Sequence, residues 1–181
     1  FAVLQVNFRG STGYGKKFLN AGDREWAGTM HNDLLDAKRW AVEQGYADPK
    51  KVCIYGGSYG GYATLVGLTF TPEVFACGVD IVGPSSLASL IESFPPYWGP
   101  YLANTWYPFV GDPKNAEERK DMEARSPLHK IDAIKAPLLI HYAEKDDRVN
   151  AGWPAYEAAL KENKVSYEVF FYPGTQHGFN N

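Results

Sequence analysis

Gly56-Gly57-Ser58-Tyr59-Gly60-Gly61 sets a serine among glycines, with a strand-like run before it and a helix-like run after it. A nucleophilic serine must project from a tight turn so that its Oγ stands clear of the sheet, and small neighbours let the backbone cross closely there. A glycine-rich turn without chemistry is the plain alternative. A phosphate loop is a weaker rival, because no Lys-Ser/Thr pair follows the glycines. Serine alone is a poor nucleophile, so a histidine base and an acid that holds its tautomer are required. His177, in Pro173-Gly174-Thr175-Gln176-His177-Gly178-Phe179, is the candidate base. The candidate acid is Asp146, with Asp147 beside it, in Glu144-Lys145-Asp146-Asp147-Arg148-Val149. Asp80 is second choice, because Ile81-Val82 continues the strand past it. Of the other histidines, His31 precedes a helix and suits a surface or capping role, His129 lies in the stretch read below as an insertion, and His141 suits a packed, hydrogen-bonded place inside a strand.

These side chains need strands and loops to bring them together. Residues 1–8 form an apolar run followed by Gly10, Gly13 and Gly15, which predicts a buried strand ending in a loop. Residues 32–44 repeat apolar positions with helical spacing, and Gly45 is placed to stop that helix. Strands are expected at 52–55, 75–82, 137–142 and 167–171, and helices at 62–70, despite Gly67, and 151–162. Alternating strands and helices imply an α/β fold with a mostly parallel sheet. Ser58, Asp146 and His177 then all fall in loops that follow strands, and this chain order is that of the α/β-hydrolase triad. Between residues 84 and 136 the pattern breaks at Pro95-Pro96, Gly99-Pro100 and Gly111-Asp112-Pro113, with aromatics crowded in. This stretch is expected to be an insertion in a single domain, its aromatics serving either as packing or as the wall of a substrate pocket.

Composition narrows the possibilities. The 181 residues are 45% apolar and 22% charged, enough for one globular domain that buries roughly 70% of its unfolded surface. A net charge of -3 gives no basic face for nucleic acid. The longest apolar stretches, such as 1–6 and 137–140, fall far short of the about 18 residues of a membrane span. Two cysteines, Cys53 and Cys77, cannot make a disulfide framework. The 4 histidines show none of the spacings of a metal site, so neither metal nor cofactor is expected. The chain opens without Met in a strand-like run and stops just after a turn, so it reads as a fragment and its compartment is left open.

The sequence resembles the catalytic domain of the prolyl oligopeptidase family of serine peptidases, especially its acylaminoacyl-peptidase-like branch. The likeness rests on Asn7-Phe8-Arg9-Gly10-Ser11-Thr12-Gly13-Tyr14-Gly15, on the elbow at Ser58, on Ser126-Pro127-Leu128 and on Lys135-Ala136-Pro137-Leu138-Leu139-Ile140. It implies an α/β-hydrolase fold with Asp146 as the acid of an Asp-x-Arg/Asn-Val loop and His177 as the histidine of His-Gly-Phe. It also implies that Arg148 binds a substrate carbonyl, and that the amide of Tyr59 is one donor of the oxyanion hole. The stretches 149–160 and 172–181 look more like dienelactone hydrolases, which usually carry cysteine where Ser58 stands. The family's His-Gly-Gly segment, first strands, final helix and N-terminal propeller are not in this sequence.

The expected function is therefore a serine hydrolase of the peptidase type acting on a peptide or acyl-amide. An esterase or lactone hydrolase acting on an acyl ester is the alternative, and a catalytically incomplete fragment is a further one. A fragment of such a sheet would expose apolar surface and a strand edge, so association with the remaining parent segments or with a second copy is expected.

Overall fold

The computed structural model describes residues 2–180. Four parallel strands, β1 (Cys53–Gly57), β2 (Cys77–Ile81), β3 (Leu138–Ala143) and β4 (Tyr167–Tyr172), lie side by side in chain order. Helices α1 (Lys16–Asn20) and α2 (Thr29–Glu43) precede β1, and α3 (Tyr59–Phe70) crosses from β1 to β2. Four short helices fill the β2–β3 connection: α4 (Leu87–Glu92), α5 (Gly99–Asn104), α6 (Trp106–Phe109) and α7 (Ala116–Ala124). Helices α8 (Asp147–Asn150) and α9 (Trp153–Glu162) lie between β3 and β4. Parallel pairing requires such crossovers, and each one returns the chain to the same end of the sheet. The fold is thus a parallel sheet flanked by helices.

The strands and helices agree with the sequence pattern to within a few residues. Helix α2 stops where expected: Gly45 is left-handed at φ +75, and its amide and that of Tyr46 reach back to the carbonyls of Val42 and Ala41. Gly67 has a packing reason. A Cβ there would lie 3.1 Å from both Ile54 Cδ1 and the Phe75 ring, so glycine lets α3 lie close on the sheet. Beneath α3 and α9, Leu65, Leu68, Ile140, Tyr142, Tyr156 and Leu160 form the centre of the core.

One expectation needs correction, and two features go beyond the sequence reading. Residues 2–8 are not a strand: most are exposed, Val3 at 89%, and no described strand offers them a hydrogen-bonded ladder. Phe1, with which that expected strand began, is outside the described residues. The stretch 84–136, expected only as an insertion that breaks the alternation, is helical. Its helices are too short for periodicity to reveal, but their caps are explicit, with Ser86 Oγ accepting from Ser89 N and Asn115 Oδ1 accepting from Glu117 N and Glu118 N. Finally, although two cysteines make no framework, Cys53 and Cys77 are joined by a disulfide where β1 and β2 pair.

Candidate active site

Ser58 stands between β1 and α3 with φ 56 and ψ -115, a left-handed backbone that only a tightly held turn sustains in a non-glycine residue. Its amide donates to Ile81 O at 2.8 Å, and its carbonyl accepts from Tyr62 N at 3.0 Å, which ties the turn to β2 on one side and to α3 on the other. The flanking glycines differ in purpose. A Cβ at Gly56 would lie 2.4 Å from the carbonyl of Gly60, and one at Gly61 would lie 2.3 Å from Asp80 Oδ1 and 2.6 Å from Gly83 Cα. Gly60 itself faces open space, so close crossing is enforced by Gly56 and Gly61 and not by the second glycine of Gly-x-Ser-x-Gly.

The loops after β3 and β4 supply the two other candidate side chains. Asp146 caps the start of α8, accepts from Asn150 N at 2.9 Å through its carbonyl and is buried, whereas Asp147 points its exposed surface to solvent. Asn150 holds the same loop from within, its Nδ2 donating to Ala143 O at 2.8 Å. His177 Nδ1 lies 2.5 Å from Asp146 Oδ2, and His177 Nε2 lies 2.8 Å from Ser58 Oγ. With the proton on Nδ1 donated to the carboxylate, Nε2 is left with its lone pair toward the serine hydroxyl. Three side chains separated along the chain thus form one hydrogen-bonded line from a buried carboxylate to an exposed hydroxyl.

Asp80 lies apart from this line. It is wholly buried, its Oδ1 accepts from Gly83 N at 2.8 Å, and burial pushes its carboxyl well above the usual carboxylate range. It packs behind the elbow against Gly61. The other histidines are also elsewhere. His31 is inside α2, not ahead of it, and is buried with Nε2 3.0 Å from Thr71 Oγ1; burial lowers its pKa to about 4. His141 pairs with the Tyr172 hydroxyl at 2.8 Å and stacks on Phe170, as a packed strand histidine should. His129 lies in the 3-10 turn Pro127–Ala133.

Tyr59 opens α3, so its amide is one of the N-terminal donors without an intrahelical partner. Its ring is packed by Phe8 and Trp26 at 5.3 and 4.6 Å, and burial raises its phenol pKa. Arg148 makes no ion pair among the described residues. Its guanidinium lies over the Phe94 ring, 5.7 Å from the centroid, and Phe94 in turn stacks on Trp98 at 5.0 Å. Beside it, Ser85, Ser86, Ser89, Leu90 and Arg148 surround a dimple too small to admit a water. Of the aromatics in this stretch, Phe94 is buried, while Tyr97 and Tyr101 are exposed. Phe94 carried no functional signal in the sequence, being one aromatic among many. Glu144, whose Oε2 accepts from Gly174 N at 2.6 Å, carried none either, because its partner is 30 residues away. Among the described residues no group of three or more metal-binding side chains occurs.

A match to the prolyl oligopeptidase family of peptidases covers residues 1–181. The chain belongs to that family. The match runs through the tail that resembles dienelactone hydrolases, so a single family accounts for the whole length. Among its relatives, dipeptidyl aminopeptidase BIII of Pseudoxanthomonas mexicana is 51% identical over 99% of this chain and 26% of its own length. Dipeptidyl peptidase family member 6 of Caenorhabditis elegans is 46% identical over 98% of this chain and 24% of its own length. A puromycin-hydrolyzing peptidase of Mycobacterium tuberculosis superposes with a TM-score of 0.85 at 31% identity, covering 97% of this chain and 26% of that one. This family member spans about a quarter of the curated relatives it matches, and its α/β-hydrolase fold is shared with these serine peptidases.

Proposed function

We propose that Ser58, His177 and Asp146 hydrolyse a peptide or acyl-amide bond through an acyl-enzyme. Ser58 Oγ attacks the carbonyl carbon while its proton passes to His177 Nε2. The tetrahedral oxyanion takes a hydrogen bond from the Tyr59 amide. Collapse breaks the C–N bond, and the leaving amine takes the proton from His177. Water then repeats the sequence on the acyl-enzyme, releasing the acid and restoring the Ser58 hydroxyl. Asp146 keeps the proton of His177 on Nδ1 and stabilises the imidazolium. One observation carries this reading: His177 is within hydrogen-bonding distance of Ser58 and of Asp146 at once.

The substrate class follows the relatives. A dipeptidyl aminopeptidase at 51% identity and acylamino-acid-releasing enzymes at 27–31% identity favour release of short N-terminal units from peptides. Arg148, held over Phe94 and without an ion pair among the described residues, is assigned in this reading to bind a substrate carbonyl. Residues 1–181 act as part of one hydrolase domain, with about 84–136 as an insertion bordering the site.

The test is made on the full-length protein. Wild type is expected to cleave a dipeptidyl anilide with higher kcat/KM than a short acyl ester and to react with a fluorophosphonate; Ser58→Ala abolishes both turnover and labelling while the fold persists. Turnover of the Ala variant above a few per cent of wild type refutes the nucleophile. A strong preference for the ester moves the substrate class to esters and leaves the three residues in place.

A further inference from the structure

The β3–β4 ladder ends at Ala143 and Tyr172, yet the two chains stay paired beyond it. Glu144 N donates to Tyr172 O at 3.3 Å and Lys145 N donates to Thr175 O at 2.9 Å. Between these backbone bonds, the Glu144 carboxylate reaches across and accepts the Gly174 amide at 2.6 Å, the short distance of a charge-assisted bond. Gly174 is left-handed at φ +74, and a Cβ there would meet nothing within 4 Å. Glycine is therefore present for its conformation, which turns the amide toward Glu144, and not for want of room. Glu144 is exposed and makes no ion pair among the described residues, so neither core packing nor charge pairing explains it.

We propose that Glu144 is a positioning residue for the hydrolysis described above: its carboxylate latches the loop after β4 to the loop after β3 and so fixes His177 opposite Ser58. Glu144 lies two residues before Asp146, and Gly174 three residues before His177. The latch therefore ties together the two loops that meet in the Asp146–His177 hydrogen bond. The backbone bonds alone set the spacing of the loops. Within the turn, Thr175 closes back on Tyr172 O through its amide at 3.4 Å and its hydroxyl at 2.6 Å; the Glu144 side chain adds the side-chain contact that ties this turn to the loop after β3. Its loss would let the imidazole drift without unfolding anything, because Glu144 is a surface residue. This inference rests on the roles assigned to Ser58, His177 and Asp146.

The experiment compares Glu144→Ala, Glu144→Gln and Ser58→Ala in the full-length protein. For Glu144→Ala, kcat on the dipeptidyl anilide falls about tenfold and KM stays within about twofold, since the binding surface is untouched and only the reacting geometry is loosened. Glu144→Gln keeps an oxygen acceptor for the Gly174 amide and holds kcat within about threefold of wild type. Hydrogen exchange in residues 173–177 quickens in the Ala variant only, with no matching fall in Tm. Undiminished kcat in Glu144→Ala, equal loss in both Glu144 variants, or a loss that tracks the folded fraction overturns the latch. An inactive Ser58→Ala beside a fully active Glu144→Ala refutes the latch alone, whereas an active Ser58→Ala refutes the reading on which it rests.

Discussion

Replacing Asp146 by Asn separates charge from shape at the centre of the site. The variant keeps the size of the buried side chain and can still occupy the place 2.5 Å from His177 Nδ1. Two things change. When His177 becomes an imidazolium, the carboxylate no longer answers its charge; with charge centres about 4 Å apart and an effective permittivity of about 20, that attraction is about 4 kcal/mol. By itself this corresponds to roughly a thousandfold in rate. In addition, the Asn amide can donate to Nδ1, which puts the imidazole proton on Nε2 and leaves no lone pair for the Ser58 hydroxyl. Together the two effects are expected to lower kcat about 10⁴-fold, the loss seen when a triad acid becomes an amide. Asp147, exposed and one residue away, serves as the control, and Asp147→Asn should change kcat by less than about twofold. Steady-state kinetics on an anilide substrate, with circular dichroism to confirm folding, read the comparison. A loss of less than about tenfold for Asp146→Asn, or equal losses for the two variants, would show that the acid has been misassigned.

Arg148→Ala should raise KM more than it lowers kcat, and Phe94→Leu should raise KM less; in the double variant the Phe94 change should add nothing, since the ring acts through the guanidinium it supports. Additive effects on KM would dissociate the pair. His31 is neutral in the fold with a pKa of about 4 against 6.5, so below pH 6.5 the unfolded chain binds a proton that the folded one refuses. Stability present at neutral pH is therefore lost as the pH falls from 6.5 to about 4, by roughly 3 kcal/mol in all. Urea unfolding of His31→Gln should show a shallower decline over that range, and an unchanged decline would clear His31. The disulfide between Cys53 and Cys77 closes a sequence separation of 24 residues, which corresponds to about 3.5 kcal/mol of loop-closure entropy. Cys53→Ser/Cys77→Ser should lower Tm by several degrees under oxidising conditions and match the reduced wild type; no difference from oxidised wild type would refute the staple.

The elbow could be read because its demands are local. A strand, a serine among glycines and a helix occupy one short window, and the backbone strain at Ser58 is resolved within it. His177 and Asp146 were singled out for a related reason, as loop residues after strands whose parallel order brings their ends together, and their side chains do meet in one line with that of Ser58. What escaped depended on partners distant in the chain. Residues 2–8 have the composition of a buried strand, but composition does not specify a ladder partner, and the structure provides none among the described residues. Gly61 matters more than Gly60 only because β2 delivers Asp80 and Gly83 behind it. The short helices between 84 and 136 hid because four to nine residues are too few to show a period. Phe94 and Glu144 acquire their significance from Arg148 and Gly174, and nothing near them in sequence announces either contact.

The order of the strands also decides when a growing chain could become reactive. Ser58 is built first, but His177, the base proposed for it, lies 119 residues later, after the last strand of the described sheet. At roughly 5–20 residues per second of synthesis, that gap lasts about 6 to 24 seconds. On the roles proposed for these residues, the Ser58 hydroxyl has no base during that interval, so the nascent chain would form no acyl-enzyme. His177 would reach Ser58 only when β4 docks on β3 and brings its loop into place. If the proposed roles hold, the sequence order of the sheet acts as a timer, delaying hydrolysis until the described sheet is complete.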